Sequence, residues 1–252
     1  MNIIITGASS GIGFALAKLY ANPNVTLGLI ARDSKKLEII TELCIAKGAN
    51  VYVAAIDVTD GEALKSWLLD FDNQFPINLL IANAGIASTL NKNDLNESWE
   101  KINEVLNVNL YGVLNTIYPI ISLMQSRNYG QIAIVSSLAA YRGMAISPIY
   151  CASKAAVKSY GEALRSRLKN NGIQVSVICP GFVQSNMSDV YPGNKFMMIS
   201  SEKAAKIIQN GLIKNKACIN FPFPINLAIK LLCFLPDKLA DQLLNFFTYS
   251  KY

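Results

Sequence analysis

Apolar residues fall along the chain in two alternating patterns. Unbroken runs at Ile3 to Ile5, Val25 to Ile30, Val51 to Ile56, Leu79 to Ala82, Ile132 to Val135 and Val175 to Ile178 predict strands buried on both faces, as in a parallel sheet. Between them, Ile12 to Ala21, Lys35 to Lys47, Glu62 to Phe71, Glu97 to Arg127 and Tyr150 to Lys169 show helical spacing or length, with Ser34, Asp60 and Asn96 placed as N-caps. Strands and helices alternating through short connections predict βαβ units. Right-handed crossovers with a reversal of winding after the third strand give the order 3-2-1-4-5-6. The expected fold is α/β, a doubly wound parallel sheet with helices on both faces and a ligand crevice at the carboxyl ends of the strands near the reversal. No linker or repeat divides residues 1–252, so one domain is expected. Residues 217–252 are expected to add an edge strand and two apolar helices, Ile225 to Leu235 and Lys238 to Phe247, joined through Pro236.

Composition removes several classes of chemistry. A hydrophobic fraction of 52% with 16% charged residues excludes a disordered chain. There is no histidine, so a Ser-His-Asp triad, a His-bound zinc and a histidine base are all impossible. The net charge of +6 is carried without a basic run of five or more, and no nucleic-acid partner is expected. Five cysteines without a C-x-x-C pair encode neither a disulfide framework nor a zinc ribbon, and no metal site is expected. The strand-like run Asn2 to Thr6 stands where an export signal would, which makes a cytoplasmic protein the expectation. The stretch Ala217 to Leu235 is broken by Pro222, Pro224 and Lys230, so no transmembrane span is expected.

Thr6-Gly7-Ala8-Ser9-Ser10-Gly11-Ile12-Gly13 joins the first strand to the first helix. Glycines permit a tight turn and close backbone approach, and the free amides of a helix start attract a pyrophosphate. The spacing is T-G-x-x-x-G-x-G, which departs from the common G-x-G-x-x-G fingerprint. Residues 7–11 also satisfy the G-x-S-x-G elbow of serine hydrolases, but an elbow serine needs the histidine this chain lacks.

In register behind that loop come Asp57-Val58, Asn83-Ala84-Gly85, Ser137 with Tyr150-Cys151-Ala152-Ser153-Lys154, and Pro180-Gly181. With them the chain resembles the short-chain dehydrogenase/reductase family over roughly residues 1–215. The resemblance implies a Rossmann fold and a hydride exchanged between a nicotinamide and a carbonyl or alcohol. Tyr150 and Lys154, four apart, stack on one helix face. A neighbouring cation favours the phenolate of a tyrosine whose ordinary pKa is ~10. In the family's reaction Tyr150 donates the proton, Lys154 tunes it, and Ser137, thirteen residues before Tyr150, holds the carbonyl oxygen; Ser136 is the competing serine. The resemblance gives Asn109, or as runner-up Asn107, the place of an asparagine at a helix irregularity whose freed carbonyl holds a water beside the lysine.

The same resemblance makes Gly7, Ser9, Ser10, Gly11, Ile12 and Gly13 the cofactor loop. It makes Asp57 and Val58 the adenine pocket and Asn83, Ala84 and Gly85 the turn under the cofactor, with Tyr150 and Lys154 also bordering it. Pro180, Gly181, Val183 and Ser185 fall on the carboxamide side, Ser185 standing where the family has threonine. Asp33 lies twenty residues after Gly13, where an acid would bind an NAD ribose. Arg32 directly after Ala31 is instead the family's mark of a 2′-phosphate, so NADP (NADPH) is the expected cofactor and NAD the alternative. A small-molecule ketone, aldehyde or alcohol is the expected substrate.

Residues 186–200, with Tyr191, Pro192, Gly193, Phe196, Met197 and Met198, are expected to form an apolar substrate lid. The apolar 217–252 extension is expected either to bury itself, as between subunits of a homo-oligomer, or to rest peripherally on a membrane through Lys230 and Lys238. A non-catalytic dinucleotide sensor on the same fold is the rival of another class.

Overall fold

The computed structural model describes residues 1–90, 94–189, 191 and 195–249, with side chains through 244. Its strands are β1 (Asn2–Thr6), β2 (Thr26–Ala31), β3 (Asn50–Ala55), β4 (Leu79–Ala82), β5 (Gly130–Val135), β6 (Ile173–Pro180) and β7 (Cys218–Phe221). Its helices are α1 (Gly11–Tyr20), α2 (Ser34–Ile45), α3 (Gly61–Gln74), α4 (Trp99–Leu106), α5 (Gly112–Ser126), α6 (Pro148–Leu168), α7 (Asn186–Asp189), α8 (Ser201–Ile213), α9 (Ile225–Leu232) and α10 (Asp237–Tyr249). All strand pairings are parallel, in the order β3-β2-β1-β4-β5-β6-β7. This is the Rossmann-like order expected from the apolar runs, closed by the edge strand β7.

The register explains the layering. Ile3 lies between Leu27 and Leu79, and Ile5 between Leu29 and Ile81. Strand side chains alternate faces, so these residues build one core with α1, α2 and α8. Ile4, Ile30, Leu80, Ile132 and Ile134 build the other with α3, α5 and α6. Burial on both faces is what unbroken apolar runs require. The exception is β3, where Ala54 alone among six residues is buried and Tyr52 and Val53 stay exposed. It is an edge strand, and Tyr52 finds its partners sideways in the rings of Phe71 and Phe75.

Two helix starts differ from expectation. Asp33, rather than Ser34, caps α2 by accepting the Lys36 amide at 3.1 Å. Ser98, rather than Asn96, caps α4 by accepting the Lys101 amide at 3.2 Å. In each case a neighbouring oxygen reaches the third amide of the turn, which is the geometry a cap needs. Asp60 caps α3 as expected.

Candidate active site

The loop after β1 is held by side chains that reach across to β4. The buried Thr6 hydroxyl accepts the amides of Asn83 and Ala84 at 3.0 and 3.1 Å. Asn83 returns the bond, its amide donating to the Thr6 carbonyl at 2.9 Å and the Gly7 carbonyl at 3.3 Å. Gly7 takes φ +67°, and a side chain there would stand 2.9 Å from the Ala84 Cα, so glycine is required twice over. Gly13 is needed for close approach, since a Cβ would strike the Gly7 carbonyl. Ser10 caps α1 in an extended conformation without using its hydroxyl. The amide-rich helix start therefore faces open space.

That space is a cavity of about 900 Å³, near the upper end of ligand sites in general. Every residue expected in the site borders it except Gly13, which packs behind the loop, and Asn109, which lies beneath it. At one end, Ala31, Arg32, Asp33, Lys36 and Asp57 meet where β2 and β3 finish. Asp33 is occupied as the α2 cap and pairs with Lys36 at 3.3 Å; the Lys36 amide holds its carboxyl below the usual range. Burial would raise Asp57, but the Thr59 amide and hydroxyl, both at 2.9 Å, and then Arg32 outweigh it and hold the carboxyl low. Arg32 is mostly exposed, tethered to Asp57 only by a 3.4 Å contact.

At the other end, Ser137, Tyr150 and Lys154 converge. Ser137 stands two residues after β5, and its oxygen accepts the Ala139 amide at 3.1 Å. Its hydroxyl donates to the Pro180 carbonyl at 3.5 Å; burial raises the pKa of the nearby Tyr150 phenol, and Ser137 works against that rise. The neighbouring Ser136 is turned away, donating to the Lys154 carbonyl at 2.7 Å. Of the two serines it is thus Ser137 that accompanies the tyrosine. Lys154 is buried, with its ammonium donating to the Val135 carbonyl at 3.0 Å and lying 5.9 Å from the centre of the Tyr150 ring. Burial lowers its pKa to about 8, because a low-dielectric site penalises the charged form.

Between α4 and α5 the helix widens into a π turn over Asn107–Tyr111, with the Gly112 amide bonding the Asn107 carbonyl five residues back. Asn109 sits in that turn, fully buried. Its oxygen accepts the Ile86 amide at 2.8 Å, and its nitrogen donates to the Ile86 carbonyl at 2.9 Å and to Ser153 at 3.1 Å. The irregularity expected at this asparagine is present, and the side chain uses it to tie the turn after β4 to α6.

Three features were not visible beforehand. Glu97 accepts the Ile149 amide at 2.8 Å and the Ser88 hydroxyl at 2.6 Å. It thereby satisfies the first turn of α6 beside Tyr150, where Ser147 makes no side-chain cap. Lys36 joins Arg32 at the cavity rim. The third is the tail: Ile225 and Ile229 pack on Leu138, Val177 and Cys179, and residues of α9 and α10 close one side of the cavity. The extension, expected either to bury itself or to rest on a membrane, packs its inner face on this chain as a wall of the site. Among the described residues no helix is long and apolar enough to cross a membrane, and none cluster as a metal site.

Of the expected lid, Tyr191, Phe196 and Met197 border the cavity, whereas Met198 lies off it; Pro192 and Gly193 lie outside the described residues. Val183 pairs with Ile199, and Ser185 approaches Gly11 so closely that a Cβ on the glycine would lie 3.1 Å away.

A parallel sheet whose reversal point carries a glycine-cradled helix start, with a tyrosine and lysine opposite, defines a dinucleotide-dependent oxidoreductase. The chain matches the family described as short chain dehydrogenase over residues 1–194, and it belongs to that family as an NAD(P)-dependent enzyme. It is 30% identical over 239 residues to an uncharacterized oxidoreductase of Myxococcus xanthus, covering 94% of each chain. A short-chain dehydrogenase from Sphingobium yanoikuyae in complex with NADPH shares the fold, with a TM-score of 0.81, 21% identity and coverage of 97% of this chain and 94% of that one. A short chain dehydrogenase/reductase from Burkholderia phymatum in complex with NAD superposes with a TM-score of 0.83 at 25% identity, covering 92% of each.

Proposed function

We propose that the protein is an NADPH-dependent reductase of ketones or aldehydes. The observation that carries this is that Ser137, Tyr150 and Lys154 border the same cavity that the glycine loop opens into, with the Lys154 ammonium buried on the Val135 carbonyl 5.9 Å from the Tyr150 ring. Gly7, Ser9, Ser10, Gly11 and Ile12 would cradle the pyrophosphate, with Gly13 packed behind them against the Gly7 carbonyl. Asp57 and Val58 would flank the adenine, with Asn83, Ala84 and Gly85 beneath, and Pro180, Gly181, Val183 and Ser185 would frame the nicotinamide. Bound NADPH supplies the hydride. Ser137 holds the carbonyl oxygen by hydrogen bonding. As the new C–H bond forms, the π pair moves onto that oxygen, which takes the phenolic proton of Tyr150. Burial keeps this phenol protonated at neutral pH, as a donor requires. Lys154 stabilises the resulting phenolate, and Asn109 keeps the turn after β4 in register with α6.

The preference for NADPH over NADH is supported by the rim. Arg32 and Lys36 bring two cations to a small residue, Ala31, while Asp33 already serves as a cap and ion-pair partner. A 2′-phosphate would be received by a guanidinium whose present tether is long and exposed. Fluorescence titration of both dinucleotides against the wild type and Arg32→Ala tests it. The expected result is NADPH bound more tightly by the wild type, with a loss of about tenfold or more in the variant and little change for NADH. Equal affinities with no loss in the variant would overturn the phosphate contact, and tighter binding of NADH would favour an NAD-dependent alcohol dehydrogenase.

A further inference from the structure

The wall contributed by α9 and α10 differs from the rest of the cavity. Leu231, Leu235 and Leu243 border the cavity and are 57%, 38% and 42% exposed. These leucines turn apolar surface toward the space that Ser137 and Tyr150 share. Among the described residues, the charged side chains bordering the cavity are Arg32, Asp33, Lys36 and Asp57, gathered at the ends of β2 and β3, and Lys154, fixed on the Val135 carbonyl. The tail side has none: Asp237 and Asp241 are engaged by Arg142 at 3.0 and 2.8 Å. Glu97 is occupied by Ser88 and the Ile149 amide. A carboxylate or phosphate on a substrate would lose water there without gaining a partner, whereas an apolar body would cover the leucines.

We propose that the carbonyl compound taken by this site is uncharged and carries a long, water-insoluble body seated against α9 and α10, which makes this helix pair the specificity-determining wall. The proposal rests on the reductase reading above. The wall is anchored to the reacting end of the cavity, because Ile225 and Ile229 pack on Leu138, the residue after Ser137. It also lies beyond residue 194, where the family match stops.

The test uses the full-length protein with NADPH and a series of straight-chain methyl ketones from four to thirteen carbons. It includes a thirteen-carbon ketone ending in a carboxylate, and displacement of the uncharged dye Nile red as a readout that does not depend on turnover. Expected is a rise in kcat/KM of about twofold to fourfold per methylene until the cavity is filled. The carboxylated ketone should be poorer than its neutral match by about a hundredfold or more. Nile red should be displaced by the thirteen-carbon ketone. The triple variant Leu231→Gln, Leu235→Gln, Leu243→Gln should lower the long-to-short kcat/KM ratio by about tenfold or more, with NADPH affinity reporting that the variant is folded. A flat length dependence, a preference for the carboxylated ketone, or an unchanged ratio in the variant overturns the proposal. Failure of every ketone and of the matching aldehydes to oxidise bound NADPH would overturn the reductase reading instead, and dye displacement by the long ketone would still report on the wall; no displacement overturns the wall itself.

Discussion

The two ends of the cavity are built on different principles. At the glycine-loop end, Thr6, Gly7 and Asn83 are locked by short hydrogen bonds between adjacent parallel strands, within a core of fully buried Ile3, Ile5, Leu29 and Ile81. At the tail end, α9 rests on a small cluster around Leu138, and α10 is held by buried Ala240 and two surface ion pairs from Arg142. Its outer side leaves Phe234 and Leu239 exposed. A dinucleotide has one shape, and a site for it benefits from backbone rigidity. A substrate wall made of packed side chains on a lightly held helix pair can change without disturbing the sheet.

The contrast can be broken most severely at the rigid end. Tyr150→Phe removes the proton donor while leaving the ring, and steady-state assay of NADPH oxidation should show turnover reduced by about a hundredfold to ten-thousandfold, with NADPH still bound. Full turnover by this variant would remove Tyr150 from the proposed mechanism.

A second break uses pH. The Lys154 pKa, lowered to about 8 by burial, places loss of the ammonium within the assay range. Reduction should be level below about pH 8 and fall by up to tenfold per unit above it, and Lys154→Arg should move that break upward because a guanidinium does not deprotonate there. The stability linkage has the opposite sign. Below the folded pKa the buried ammonium is charged at a cost, while between about 8 and the unfolded value the unfolded chain binds more protons. Stability contributed by this site therefore rises with pH across that window, so a falling rate there with undiminished resistance to urea separates chemistry from unfolding.

The mildest change sharpens the comparison at the adjustable end. Arg142→Ala releases both ion pairs of α10, which are exposed and individually weak. The Michaelis constant for a long-chain ketone should rise by about twofold to fivefold while NADPH affinity, measured by fluorescence, stays constant. Equal losses in both would mean that the two ends are not separate.

Much of this molecule is legible in local pattern. The six runs that became β1 to β6, the glycine loop and the Tyr150 and Lys154 spacing depend on residues near one another in the chain, where periodicity and sterics act directly; the irregular turn at Asn109 was implied by the family resemblance alone. The exposed β3 is less legible, because an edge strand with bulky residues reads like an interior one until its missing neighbour is known. Asp33 stands at the distance of a ribose ligand, and the spacing did not reveal that its oxygen also caps α2 by reaching the Lys36 amide.

The sequence by itself determined the winding of the sheet and the absence of histidine chemistry, which follow from the alternation of apolar runs and from residue type. Only the tertiary structure decided that Glu97 secures the start of α6 across 52 residues, that the Ser136 hydroxyl is spent on the Lys154 carbonyl while Ser137 borders the cavity with Tyr150, and that the apolar tail walls the cavity. Those outcomes depend on which distant surfaces come together when the core closes, and apolar residues record that they will be covered without recording by what.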